Sequence, residues 1–297
     1  MNSIRIIWDV EMNGERKLQI AYSGVQGAFA QVAAGKIFPE GELNSYASFR
    51  QAYEAVEAKE CDYAVLPIEN STAGEVAQVT DLLYGGTLKI AGIFELPIVH
   101  NLLGIEETDK SQIKTVYSHP QALDQCSEYI FNHGFEKRVA TNTAQAAKEV
   151  ALLKDPSMAA IASAETAKIY GLKVLEKAIN ERESNTTRFV VLSAGKDPEK
   201  KEQIEIFKRK EAFTLILIVK NEAGSVARAI TTIGDFGFNM RTLRSRPQKN
   251  LLWNYYFYIE GEGDLGSVKG VEMLRALEEN CEMVKVLGNY PADVILE

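Results

Sequence analysis

The 297-residue sequence predicts an α/β protein followed by a smaller α+β unit. Two observations carry this expectation. Through about residue 195, short β-branched runs alternate with longer stretches of helical period. After a charged break, six segments follow in the order βαββαβ, the ferredoxin-like arrangement. A hydrophobic fraction of 46% supplies enough apolar side chains for both cores, and the length suits about two domains.

Leu18 to Tyr22 reads as the first strand, Ser23 to Gly27 as a glycine-bearing loop, and the next residues to about Gly35 as a helix. Ser48-x-x-Gln51 is a capping box before a helix with Phe49, Ala52, Tyr53 and Val56 on one face. Asp62 to Ile68 is a strand, and Thr72-x-x-Glu75 is expected to cap the helix after it. Lys114 to Tyr117 is a strand whose helix is capped by Ser118-x-x-Gln121, with Pro120 in its first turn. Thr141 to Thr143 precede another helix. Met158 to Ala162 is a strand, and Ser163 starts a helix that Gly171 stops. Thr187 to Leu192 is the last strand of this region.

Residues 196–211, charged and Lys-rich, read as a linker. Beyond it come a strand Phe213 to Val219, a helix Ser225 to Phe236, strands Phe238 to Pro247 and Leu252 to Glu260, a helix near Leu265 to Glu279, and a strand Glu282 to Gly288. Phe213 to Val219 is apolar on both faces, and Trp253 to Tyr258 is aromatic on both. Helices cover one face of such a sheet, so the other is expected to be buried by a second subunit in a homodimer or homotetramer.

A formal net charge of -8 argues against nucleic acid and anionic membranes as partners. Cys61, Cys126 and Cys281 are far apart, so neither a disulfide framework nor a zinc site is expected, and metal ligands are expected to be none. The first residues do not read as a signal peptide, and no apolar run approaches membrane-spanning length. The expectation is a cytoplasmic protein.

Several strands end in a small polar loop that opens a helix: Ser23-Gly24, Asn70-Ser71-Thr72, Ser118-His119-Pro120-Gln121, Thr141-Asn142-Thr143 and Ser163. Ligands of α/β sheets bind outside the carboxyl ends of strands, where helix N-termini favour anions. Each loop alone reads equally as ordinary capping, but five together point to a cleft for a small carboxylate. Glu69, ending a strand at this cleft, reads either as an acid or base or as a loop support.

Thr187-Arg188-Phe189 within Asn185-Thr186-Thr187-Arg188-Phe189 resembles the signature of prephenate dehydratases. So do Pro67-Ile68-Glu69-Asn70-Ser71, Tyr117-Ser118-His119-Pro120-Gln121 with Gln125, and Tyr170-Gly171-Leu172. Ser245-Arg246-Pro247 in a βαββαβ unit resembles the ACT domain attached in that family. The resemblance spans about residues 18 to 292. It implies a catalytic domain over 18–195 with two lobes, about 18–95 plus 186–195 and 96–185, similar to periplasmic binding proteins. It further implies a linker over 196–211 and a regulatory ACT domain over 212–292. The implied reaction takes prephenate to phenylpyruvate with loss of carbon dioxide and the ring hydroxyl, in phenylalanine synthesis, with no cofactor.

Thr187 matches the family's essential hydroxyl, and Asn70, Ser71, Thr72, Ser118, Gln125, Thr141, Thr143 and Arg188 are the implied substrate-binding residues. The loop Gly24-Val25-Gln26-Gly27-Ala28 looks more like plant arogenate dehydratases, so arogenate stands as the alternative substrate, and a non-catalytic binding or sensor protein as the alternative class. The implied site for regulatory L-phenylalanine comprises Asn221, Gly224, Ser225, Ser245, Arg246 and Pro247. There Arg244 stands where the family carries glutamate, and Gly224-Ser225-Val226-Ala227 replaces a Gly-Ala-Leu-Val stretch.

Overall fold

The computed structural model describes residues 16–181, 185–195, 205–249, 251–292 and 294–296. It divides into two compact units. One comprises the described parts of Arg16–Val76, Glu95–Phe189 and Ile295–Glu297, and the other Ala77–Phe94 and Val190–Val294.

The first unit opens with β1 (Gln19–Ser23), α1 (Phe29–Ile37), β2 (Glu42–Tyr46), α2 (Phe49–Glu57), β3 (Tyr63–Asn70) and β4 (Gly74–Glu75). β1 lies parallel to both β2 and β3. Ser48 caps α2 by accepting the Gln51 N–H, as the sequence suggests. The expected Thr72 cap is not formed. Gly74–Glu75 instead turns back to pair antiparallel with Glu69–Asn70, and the next helix, α3 (Ala77–Gly85), starts only after that hairpin. The Asn70 side-chain oxygen Oδ1 causes the turn by accepting the Thr72 and Ala73 N–H groups.

β5 (Lys89–Pro97) leads to a second sheet formed by β6 (Asn101–Gly104), β7 (Thr115–Ser118), β8 (Glu136–Val139), β9 (Met158–Ala162) and β10 (Lys173–Glu176), ordered β10-β6-β9-β7-β8. Its helices are α4 (Pro120–Gln125), α5 (Ser127–Asn132), α6 (Thr143–Leu153) and α7 (Ala164–Tyr170). β9 is buried along its whole length because both faces are covered. Ala160 and Ala162 pack with Ala146, Ala147 and Val150, while Ala159 and Ile161 pack with Leu123, Cys126 and Ile130. One expected cap shifts by one residue, since His119 rather than Ser118 accepts the capping N–H of α4, while Asn142, within the expected Thr141-Asn142-Thr143 loop, caps α6. Ser163 and Gly171 bound α7 as expected. The seven-stranded sheet is ordered β16-β5-β11-β3-β1-β2, with β4 on β3, where β11 is Thr186–Ser193 and β16 is Val294–Ile295.

The second unit contains the βαββαβ fold: β12 (Ala212–Ile218), α8 (Ser225–Asp235), β13 (Met240–Pro247), β14 (Tyr255–Glu262), α9 (Val268–Asn280) and β15 (Met283–Tyr290). The sheet order is β13-β14-β12-β15, antiparallel throughout. The strand expected from Leu252 begins only at Tyr255, because residues 251–253 form a turn with Trp253 at a φ of 61°. Residues 196–204 of the expected linker lie outside the described residues, and Glu205–Lys208 form a short 3-10 turn.

Phe213, Leu215, Leu217 and Ile259 pack against Ala229, Ile233, Met273 and Leu277 of the two helices. On the other face, Tyr256 stacks on Tyr84 of α3 at 4.1 Å between ring centroids. A helix of the same chain therefore covers Tyr256 on that face. The contact is polar as well as apolar. Asp81 accepts from Tyr256 Oη at 2.8 Å and from Arg246 Nε at 2.9 Å, with Lys249 Nζ 2.9 Å away. Lys285 Nζ donates to the carbonyls of Leu83, Tyr84 and Gly86, which terminate α3. A cation there satisfies carbonyls that lack helical partners and complements the helix dipole.

Burial raises the Asp81 pKa, but hydrogen bonds from Arg246, Lys249 and Tyr256 outweigh it and hold the carboxyl below its usual range. Its stabilising effect is therefore present above the unfolded value of about 4 and is lost as pH falls through the lower folded value. Asp81→Ala should cost about 2 kcal/mol at neutral pH, because it strips a mostly buried arginine of its carboxylate. Urea denaturation at two pH values checks this, and the gap to wild type should shrink below a pH of about 4.

Candidate active site

Asn70 ends β3, Thr187 stands second in β11, and both are buried. Asn70 Nδ2 reaches Thr187 Oγ1 at 3.0 Å, Asn185 Oδ1 at 3.0 Å and the Thr186 carbonyl at 3.3 Å. Asn70 Oδ1 accepts from the Thr72 and Ala73 N–H groups and from Gln121 Nε2 at 3.1 Å. Ser71 fastens the same junction, donating its N–H to the Thr186 carbonyl and accepting the Thr186 N–H on Oγ. Asn185 Nδ2 lies 3.0 Å from Gln125 Oε1, which also lies 2.8 Å from His100 Nε2.

A cavity of about 500 Å³ opens beside this network, lined by Thr72, Ala73, His119, Gln121, Gln125 and Asn185 among others. His119 accepts the Gln121 N–H on Nδ1, and burial lowers its pKa, so it faces the cavity as a neutral imidazole. The loop after β1 meets α7 elsewhere in the unit. Thr166 Oγ1 donates to the Gly27 carbonyl, and Tyr170 Oη to that of Gln26. Gly27 has a φ of 88°, and a Cβ there would lie 3.1 Å from Thr166 Cγ2, so only glycine suits the approach.

The structure brings Asn70, Ser71, Thr72, Gln125 and Thr187 together and separates other expected residues from them. Ser118 is fully buried and donates Oγ to the Ile161 carbonyl, so its hydroxyl serves the second sheet. Thr141 and Thr143 flank the Asn142 cap and make no hydrogen bond to the network among the described residues. Arg188 pairs with Glu69 at 3.0 Å. Glu69 and Arg188 alternate with Asn70 and Thr187 along their strands, so this ion pair occupies the opposite face of the sheet. The pairing supports the loop-support reading of Glu69 and holds the Arg188 guanidinium on that face. Asn185, Gln121 and His100 were not expected as site residues, although Asn185 opens the Asn-Thr-Thr-Arg-Phe stretch. Among the described residues no cluster of three or more His, Cys, Asp or Glu could hold a metal ion.

The expected regulatory residues also separate by face. Gly224, with a φ of 82°, is the N-cap of α8, and Ser225 is buried with Oγ accepting from Arg228. Ser245 pairs in register with Phe257 on the helix-bearing side of the sheet, where Pro247 also falls. Arg244 and Arg246 face the other way. Arg246 binds Asp81, and the Arg244 guanidinium lies 5.5 Å from the centre of the Tyr258 ring.

The sequence profile of the prephenate dehydratase family matches residues 20–197. A chloroplastic arogenate dehydratase/prephenate dehydratase of Arabidopsis thaliana is 33% identical over 95% of this chain and 74% of its own length. The prephenate dehydratase of Arthrobacter aurescens, solved with L-Phe, superposes with a TM-score of 0.81 at 26% identity, over 93% of each chain. A protein described as a novel type of quorum-quenching acylase superposes at 0.83 with 28% identity, over 93% of this chain and 98% of its own. The chain belongs to the prephenate dehydratase family, and its class is that of carbon–oxygen lyases.

Removing the Asn70 carboxamide would strand several buried donors and acceptors at once. Asn70→Ala should cost about 3 kcal/mol of stability, from more than one unsatisfied partner. Thermal unfolding followed by circular dichroism measures this, and hydrogen exchange should show faster exchange of the Thr72 and Ala73 amides.

Proposed function

We propose that this chain converts prephenate to phenylpyruvate with Thr187 as the proton donor to the departing hydroxyl. The observation that supports this is the 3.0 Å hydrogen bond from Asn70 Nδ2 to Thr187 Oγ1. The hydroxyl oxygen is the acceptor there, so its own proton is left for a ligand in the adjoining cavity. As the bond between the ring and its carboxylate breaks, the electron pair enters the ring and carbon dioxide leaves. The ring carbon–oxygen bond breaks at the far side, and the departing oxygen takes the Thr187 proton to become water. The Asn70 amide faces the charge that develops on Oγ, which solvent then reprotonates. Aromatisation drives the step, so a weak acid preorganised in a buried site suffices.

Catalysis is assigned to residues 18–195 in a cytoplasmic enzyme, with Gln125 and Thr72 as further substrate contacts. Regulation is assigned to residues 212–292, with L-phenylalanine bound near Gly224 and Ser245 in a homodimer or homotetramer. The L-Phe complex of the Arthrobacter aurescens protein supports that ligand. The orientation of Arg244 toward Tyr258 supports a site free of its charge.

Thr187→Ala should lower kcat on prephenate by about 100-fold or more, as loss of one preorganised donor does, with the fold intact. Phenylpyruvate formation measures it, and competition between prephenate and arogenate identifies the better substrate. Calorimetric titration should show L-phenylalanine binding, accompanied by a fall in rate.

A further inference from the structure

The amide orientations around Asn70 follow from the backbone. The Thr72 and Ala73 N–H groups can only donate, so the Asn70 atom facing them is Oδ1. Nδ2 therefore faces Asn185, and the Asn185 atom that receives it at 3.0 Å is Oδ1. Asn185 Nδ2 then points at Gln125, whose receiving atom is Oε1. That same oxygen lies 2.8 Å from His100 Nε2, and two facing acceptors would repel, so Nε2 carries the proton. Two atoms are left over in this chain of bonds. His100 Nδ1 and Gln125 Nε2 are both buried and have no hydrogen-bond partner within the described structure.

We infer that His100 is a positioning residue for the Thr187 reaction. As the neutral Nε2–H tautomer it locks the Gln125 carbonyl toward Asn185 and turns the Gln125 NH2 to a substrate oxygen at the cavity. This rests on the reading of Thr187 as the proton donor. His100 is 3% exposed, and burial lowers its pKa, which suits a ring that stays neutral. Its ring is held edge-on by Phe29 at 5.8 Å, and its backbone N–H donates to Asn180 Oδ1. A buried NH2 without a partner is costly in the free enzyme, and a carboxylate or keto oxygen of the ligand relieves that cost on binding. Without the His100 donor, Gln125 can rotate to satisfy its own amide, which withdraws the acceptor from Asn185 and loosens Asn70 and Thr187 in turn.

The first test is the nitrogen-15 spectrum of the ring in the full-length protein. It should show the proton on Nε2 and a bare Nδ1, whereas the Nδ1–H tautomer would overturn the inference. The second is His100→Phe, which fills the space without a donor. It should lower kcat about tenfold, the order of one hydrogen bond, and His100→Asn should recover part of the loss. An unchanged kcat in folded His100→Phe would overturn the assignment. The third is the double variant with Thr187→Ala. His100→Phe should add little to the Thr187→Ala loss, and equal losses in both backgrounds would mean that His100 acts independently of Thr187. Full activity of Thr187→Ala alone would instead remove the reading of Thr187, and the tautomer result would still stand.

Discussion

The Asn70 carboxamide meets three donors on its oxygen and three acceptors on its nitrogen, and the architecture of the site depends on it. The oxygen pins the turn at Thr72–Ala73 and so permits the β3–β4 hairpin. It also anchors Gln121 in the first turn of α4. The nitrogen gathers the start of β11, from Asn185 to Thr187, around one point. An amide offers two donors and two acceptor positions, so six partners oversubscribe it and some bonds are shared. Such a centre tolerates little movement of any single partner, because each displacement exposes another buried polar atom. Thr187 is thus tied into this network through its hydroxyl.

α3 extends this dependence along the chain. It begins at Ala77, directly after the hairpin that Asn70 organises, yet it packs in the unit that contains the βαββαβ fold. The sequence assigns it to the catalytic region because it falls between two strands of that region. Packing assigns it elsewhere because Asp81 and Tyr84 find their partners at Arg246, Lys249, Gln248 and Tyr256. Arg246 was expected at a ligand site, but its guanidinium is committed to a carboxylate. The apolar second face of the sheet is legible as apolar in the sequence, whereas the identity of what covers it is not. Burial by a second subunit and burial by a helix of the same chain leave the same pattern in β12 and β14.

Elsewhere the division between legible and hidden follows similar physical lines. Thr187 and Asn70 stand in motifs and also end or start strands, so order and spacing disclose them. Ser118 sits in an equivalent position at a strand end, but its hydroxyl turns inward to Ile161, and nothing in the surrounding residues distinguishes the two orientations. Alternation along the strand does contain information that motif reading overlooks. Arg188 adjoins Thr187, so both cannot face the same cavity from an extended backbone. His100 carries no local signal, because it ends the short connection Ile98-Val99-His100 between β5 and β6. Its role depends on the amide of Gln125, which only the folded chain brings to it.

Alternation also bears on why a hydroxyl, and not a carboxylic acid, suits the proton-donating role proposed for Thr187. The ends of β3 and β11 present an uncharged face, Asn70 with Thr187, and an ionic face, Glu69 with Arg188. A carboxyl on the uncharged face would be a stronger acid, but near neutral pH it would have to be held protonated against its ordinary pKa of about 4. Two substrate carboxylates nearby would help hold it so, yet once its proton is given up it would repel them. Threonine avoids that penalty because it is neutral before the step, and its charge during the step is transient and met by the Asn70 amide. The Glu69 carboxylate, one residue away, is neutralised by Arg188 and kept on the far side of the backbone. The sheet therefore separates a strong but charged group from a weak but neutral one within two adjacent residues, and the mechanism proposed above uses the neutral one.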